Sequence, residues 1–274
     1  MAASFTSVAI GLVVLATLFG VLERLVPAVG GQPRIRRGTW VDVGWWFVTP
    51  LVSKAVSRVT IVLVLVAAAV AAGVPIRAET LQAFLAPRPA LAALPWAAQL
   101  ALFLLVADLL AYASHRWLHV SPRLWPIHAV HHSSTEVDWL SSVRVHPLND
   151  VVTRLAQAVP IVMIGFDPAI VAAYVPVFLF YGVLVHANVD WTFGPLRWVL
   201  ASPVFHRWHH AAEAEGLNRN FAGLFPVIDL AFGTFHMPRD RRPERFGIPD
   251  GDVPETMRGQ LAYPFRRGAG PGLR

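Results

Sequence analysis

Eleven histidines occur in this chain of 274 residues, and eight of them fall into three tight groups: His115 with His119, His128 with His131 and His132, and His206 with His209 and His210. The spacings read H-x-x-x-H, H-x-x-H-H and H-x-x-H-H. Residues three and four apart lie on one face of a helix, with Cβ atoms about 5–6 Å apart, so each group is expected to present two or three imidazoles toward a single point. Neutral imidazole binds iron, copper, zinc or nickel through one ring nitrogen. Eight such nitrogens exceed the needs of one ion, since a tetrahedral zinc site is filled by roughly four. The number therefore asks for two metals. A lone histidine such as His236 reads instead as a capped or core side chain. Three groups in so apolar a chain would be costly to bury without a compensating partner, and they read as ligands.

The elements that must position these groups are apolar helices. Of the residues, 55% are hydrophobic and 15% charged, against about 25% charged in a soluble domain, which points to a membrane-embedded protein. The absence of cysteine excludes disulfides and thiolate metal sites. The net charge is +6, but every basic residue except Lys54 is a scattered arginine, which argues against nucleic acid as a partner. An uncharged run from Ser4 to Leu22 lacks the basic start and cleavage site of a secretory signal and is long enough to span a hydrocarbon core of about 30 Å. A second run, Val59 to Ile76, follows a tryptophan-rich approach, "WVDVGWWFVTPLV", and a third covers Pro95 to Ala113 with one charge, Asp108. A fourth region, Val151 to Val185, is interrupted by "GFDP" at 165–168. Its two short helices fit a re-entrant hairpin in one leaflet, with a full hairpin crossing as the other form.

The expected fold is thus all-α, a multi-span transmembrane helical bundle of three or four spans plus a re-entrant helical hairpin. It forms one membrane domain over residues 1–274, with an anchor region at 4–113 and a helical, histidine-rich di-metal cap. Arg24, Arg34, Arg36 and Arg37 fill the first loop, whereas the second holds only Arg77 and Arg88 around Glu79. The positive-inside rule makes the first loop cytoplasmic and puts the histidines, with the basic tail "FRRGAGPGLR", on the cytoplasmic side. Asp108 lies seven residues before His115 and shares its helix face. An ionisable group within a span suggests a role at the site, or else pairing with an arginine such as Arg154. Ligating histidines usually donate their second N–H to an oxygen, and Asp138, Asp150, Asp190, Glu136 and Asp229 are the carboxylates in range.

The motifs "HRWLH", "HAVHH" and "HRWHH", with the flanking "VRVHP", "VHANVDW" and "NFAGLFPVIDLAFGTF", resemble the fatty acid hydroxylase/sterol desaturase superfamily of integral-membrane di-iron enzymes. The resemblance covers about residues 108–236 and is more specific for the superfamily than for a substrate. It implies that His115, His119, His128, His131, His132, His206, His209 and His210 are iron ligands and that His186 supplies a further one. His146 of "VRVHP" matches a histidine that is a ligand or stands just behind one. Asn188 and Asp190 occupy the neighbourhood where some relatives carry another histidine, and Asn218 and Ile228 stand where relatives often have aspartate and tryptophan.

The implied cofactors are two iron ions with dioxygen as co-substrate, and the implied reaction is hydroxylation, or desaturation, of an unactivated C–H bond in a lipid drawn from the bilayer. Electrons would come from a ferredoxin-type or small haem donor on the arginine-rich cytoplasmic face, since the chain shows no dinucleotide fingerprint. The expected location is the inner membrane of a bacterium. Ether-lipid cleavage or carotenoid hydroxylation by the same metals is the alternative within enzymes. Outside enzymes, the alternatives are a redox-inert structural zinc pair and a metal transporter, the latter weakened by the single ionisable residue, Asp108, expected deep in a span.

Overall fold

The computed structural model describes residues 4–249 and 251–266; the last eight residues, most of the basic tail, lie outside the described residues. Regular structure among the described residues is helical, apart from one isolated antiparallel bridge between Ala211 and Phe246. Ser4 caps α1 (Phe5–Leu25): its hydroxyl accepts from the Ser7 N–H, and Ser7 returns a bond to the Ser4 backbone. Only Val8 and Phe19 of this helix are buried, and Phe5 and Val13 are about two-thirds exposed, the pattern of a helix solvated by lipid.

The tryptophan-rich approach is itself helical. Helix α2 (Thr39–Val48) runs without a break into a π-helical turn, Thr49–Ser53, and then into α3 (Lys54–Ala71). Pro50 is the second residue of that turn, and widening it relieves the clash of the proline ring with the carbonyl of Trp46, so the helix continues instead of stopping. The second span therefore belongs to a continuous helix of 33 residues, Thr39–Ala71, that starts well before Val59. Two short helices, α4 (Ala78–Phe84) and α5 (Pro89–Ala92), lead into α6 (Trp96–Val120). At 25 residues α6 continues past Ala113 and carries both histidines of the first motif on its last turns.

Helix α7 (Trp125–His132) holds the second motif. Next, α8 (Pro147–Ile164) and α9 (Pro168–His186) form a hairpin closed by Gly165, whose φ of 84° is the left-handed conformation a helix terminus takes most readily at glycine. The Gly165 carbonyl accepts a bond from the Arg88 N–H at 2.9 Å, in the segment that links α3 to α6. The tip of the hairpin therefore lies at the end of the bundle opposite the histidines, and of its two arms α9 is long and apolar enough to cross a membrane. Short helices α10 (Pro203–His209), α11 (Pro226–Ala231) and α12 (Met257–Ala262) complete the cap. Among the described residues, four helical stretches are long and apolar enough to cross a membrane: Phe5–Leu25, Thr39–Ala71, Trp96–Val120 and Pro168–His186. The chain is an integral membrane protein.

Candidate metal centre

The histidines arrive from four directions at the same end of the bundle. The last two turns of α6 bring His115 and His119, all of α7 brings His128, His131 and His132, the end of α9 brings His186, and α10 with its C-cap brings His206, His209 and His210. These nine residues form two groups whose ring nitrogens lie within 4.8 Å of one another: His115, His119, His128, His132 and His209 in the first, His131, His186, His206 and His210 in the second. The single-point expectation for each motif is thus corrected. A helix turns by about 100° per residue, so positions i and i+4 nearly superpose in projection while i+3 is offset to one side. His128 and His132 accordingly serve the first group and His131 the second, whereas His206 and His210 serve the second and His209 the first.

The hydrogen bonds fix the ring tautomers. His115 Nδ1 donates to the Phe221 carbonyl at 2.9 Å, His131 Nδ1 to that of Arg144 at 3.2 Å, His186 Nδ1 to that of Gly182 at 2.6 Å, and His209 Nδ1 to that of Arg219 at 2.8 Å. His128 Nδ1 donates to Asn149 Oδ1 at 2.9 Å. A carbonyl oxygen only accepts, so in each of these neutral rings the proton sits on Nδ1 and Nε2 carries the lone pair. Those lone pairs face one another: His115 and His128 Nε2 are 3.2 Å apart, and His131 and His186 Nε2 are 3.1 Å apart. His206 Nε2 lies 3.0 Å from His186 Nε2 and 3.2 Å from His210 Nε2.

Two lone pairs at that separation repel unless a proton or a metal ion lies between them. Burial first, and the neighbouring imidazoles second, push His131, His132 and His210 well below the ordinary histidine range, which disfavours the proton. Both ring nitrogens of His119 and the Nε2 atoms of His132 and His209 are buried with no hydrogen-bond partner. Left so, each would cost about 1–3 kcal/mol. A neutral, all-imidazole donor set with inward lone pairs fits two metal ions, one for each group.

The oxygens behind the ligands differ from the expected carboxylates. Asn149 is the one side chain among the five acceptors, and the other four are backbone carbonyls. The carboxylates act one step further out. Asp108 accepts the N–H groups of Gly223, Leu224 and Phe225, and Asp229 those of Phe221 and Ala222. Together they hold the loop whose Phe221 carbonyl orients His115. Arg154 is not the partner of Asp108; it lies 3.4 Å from Asp150. Asp138 and Asp42 bind Arg36, and Asp42 also binds Arg144 at 2.5 Å, a buried ring of charges that fixes the Arg144 carbonyl behind His131.

The remaining named residues lie outside both groups. His146 caps α8, accepting from the Leu148 N–H at 3.1 Å, and its Nε2 donates to the Leu261 carbonyl. Asn188 exchanges two bonds with the backbone of Val29, and Asp190 pairs with Arg242. His236 packs edge-on against Trp208. Of the aromatics, Trp125 is fully buried with ring centroids 5.2 Å from His119 and 5.7 Å from His132, while Trp117 is about half exposed.

A family model described as fatty acid hydroxylase matches residues 100–234, the stretch that contains all nine histidines. The ornithine lipid hydroxylase OlsE of Rhizobium tropici is 33% identical over 180 residues, 63% of this chain and 52% of that protein. The alkylglycerol monooxygenase of Caenorhabditis elegans is 27% identical over 154 residues, 56% of this chain and 30% of that protein. The Delta(7)-sterol 5(6)-desaturase ERG3A of Gibberella zeae is 30% identical over 151 residues, 54% of this chain and 40% of that protein. The chain thus spans about half the length of the first relative and less than half of the other two. No solved structure gives a significant match.

Proposed function

We propose that the chain, which is similar to the fatty acid hydroxylase/sterol desaturase family over residues 100–234, is a membrane di-iron oxygenase that hydroxylates an unactivated C–H bond of a lipid. The observation that carries this reading is the pair of all-imidazole groups with converging Nε2 lone pairs. His115, His119, His128, His132 and His209 hold one iron, and His131, His186, His206 and His210 hold the other. Iron bound in this way supplies the reductive activation of dioxygen that the reaction requires.

The chain's own residues do the rest. The carbonyls of Phe221, Arg144, Gly182 and Arg219, with Asn149, keep the Nδ1 protons in place, so the ligands need no reorientation. Trp125 and Phe221, both essentially inaccessible, close the first group against water. The ends of α6 and α9 put the groups where an acyl lipid can be presented from the bilayer. The arginine-rich first loop supports a cytoplasmic site. Arg239, Arg241 and Arg245 give an exposed basic surface that suits an acidic ferredoxin-type or small haem donor. Ether-lipid oxidation is a second reading, supported by the likeness to alkylglycerol monooxygenases.

Protein purified from iron-supplied cells is expected to hold roughly two irons per chain and to consume dioxygen when given reductant and a bacterial lipid extract. Mass spectrometry of the lipid separates a gain of one oxygen from a loss of two hydrogens or a cleaved ether. Zinc alone from iron-replete cells, with no lipid converted, overturns the proposal.

A further inference from the structure

Between α1 and the catalytic cap lies a cavity of about 560 Å³, within the 300–1,000 Å³ of ordinary ligand sites. Leu12, Ala16 and Gly20 of α1 form one wall, and Val43, Trp139 and Leu140 form the other. Gly20 is the telling position, because a Cβ built there meets no atom within 4 Å, so the helix turns an open notch toward this space. The wall opposite is rigid: Trp139 stacks on Phe19 with ring centroids 6.1 Å apart, and the Trp139 N–H donates to Glu23 at 3.1 Å.

Charge selects the occupant. At the polar end, Asp138 is already bound on both oxygens by Arg36. Glu23 accepts the N–H groups of Trp139 and Asn188 on Oε1. Arg24 and Arg34 remain, both exposed on the rim, with no ion pair to any described residue. An apolar slot beside a loosely packed span, ending in two unpaired guanidinium groups at the basic end of the bundle, matches an acyl chain with an anionic headgroup.

We propose that this cavity is a lipid vestibule that takes an acidic lipid from the bilayer, its chain along the Gly20 face of α1 and its headgroup oxyanion on Arg24 and Arg34. The proposal rests on the reading of the chain as a lipid-acting enzyme, because Asn188, two residues after His186 in the chain, lines the vestibule. Specificity for the headgroup then resides at the end of α1 and in the loop after it, outside the histidine motifs.

The test is photo-crosslinking of phosphatidylglycerol with a diazirine on its acyl chain to the full chain in nanodiscs, read by peptide mapping. Label is expected on the peptides holding Leu12–Gly20 and Trp139–Leu140, and unlabelled phosphatidylglycerol should compete better than phosphatidylcholine with the same chains, whereas inorganic phosphate should not displace it. Gly20→Leu fills the notch and should cut that label roughly tenfold, equivalent to about 1.4 kcal/mol of lost binding, with unchanged thermal unfolding. Arg24→Gln with Arg34→Gln should keep the label and lose the headgroup preference. Label that is unchanged by Gly20→Leu overturns the vestibule, and equal competition by the two lipids overturns the headgroup assignment. Because the readout is crosslinking and not turnover, a vestibule without lipid conversion sinks only the oxygenase reading, and conversion without cavity label sinks only the vestibule.

Discussion

The two histidine groups are built from the same motifs used in opposite ways. In α7 the outer pair of H-x-x-H-H, His128 and His132, goes to the first group and His131 to the second; in α10 the outer pair, His206 and His210, goes to the second and His209 to the first. Crossing the motifs in this way locks α7 and α10 together, since neither group is complete without both. What differs is the remaining contribution. Helix α6 gives the first group two imidazoles, those of His115 and His119, whereas α9 gives the second a single one, that of His186. The first group has five donors and the second four, so the second has no spare ligand.

That asymmetry predicts the largest effect. With four donors reduced to three, His186→Ala should lose one of the two metals and all lipid turnover, while His115→Ala, which leaves four, should keep both metals with weaker retention. Metal stoichiometry after dialysis, compared between the two variants, is the measurement. Equal loss in both would mean that the groups do not bind independently and would dissolve the comparison.

Acid should act on both groups together. Burial places the folded-state values of His128, His131, His132, His206, His209 and His210 below the ordinary range. In the unfolded chain these rings take up protons near pH 6.5, while in the folded chain they stay neutral to lower pH. Stability of the metal-free protein is therefore constant above about pH 6.5 and falls as pH drops below it, by up to roughly 1.4 kcal/mol per pH unit for each ring still neutral in the fold. Thermal melts of chelator-treated protein from pH 8 to pH 5 should show a flat region and then a decline. A melting temperature that rises on acidification would contradict the burial of these rings as neutral imidazoles.

The same contrast shows what a sequence can disclose. The histidines that converge were legible because helical spacing and residue type both mark them, and the apolar spans were legible from composition. The division of each motif was not, because it depends on where the neighbouring helix lies and not on the spacing itself. The partners behind the histidines were not read from the sequence: carboxylates were expected, Asn149 stands two residues past the "VRVHP" motif and was passed over, and the carbonyls of Phe221, Arg144, Gly182 and Arg219 belong to positions where residue type says nothing about where the backbone points. Pro50 concealed the continuity of α2 with α3, since a π-helical turn accommodates a residue that normally interrupts a helix. The contact of the hairpin tip with the segment before α6 rests on one backbone bond, from Arg88 to Gly165, which residue type does not announce.

Asn149 gives a smaller and more selective effect. Asn149→Ala removes the acceptor behind His128 and leaves all nine ligands, so metal affinity or turnover should fall by about 10–100-fold. Asn149→Asp retains an oxygen at that position and should recover most of the loss, an outcome that a purely structural role for Asn149 would not produce. Both are read as metal retention against a chelator series.

The smallest effect belongs to His146, the residue that resemblance alone left between ligand and support. Its Nδ1 accepts from the Leu148 N–H and its Nε2 donates to the Leu261 carbonyl, so both ring nitrogens are engaged away from the metals. His146→Ala removes an N-cap from α8 and one tie to the end of α12, at a cost of about 1 kcal/mol in stability. His146→Asn restores a side-chain acceptor at the cap and should regain part of that cost. Neither variant should change the number of metals bound, because the centre's oxygens come from Asn149 and from carbonyls on other segments. Loss of a metal in His146→Asn at unchanged melting temperature would place His146 in the second group, where a fifth donor would make the two groups equal.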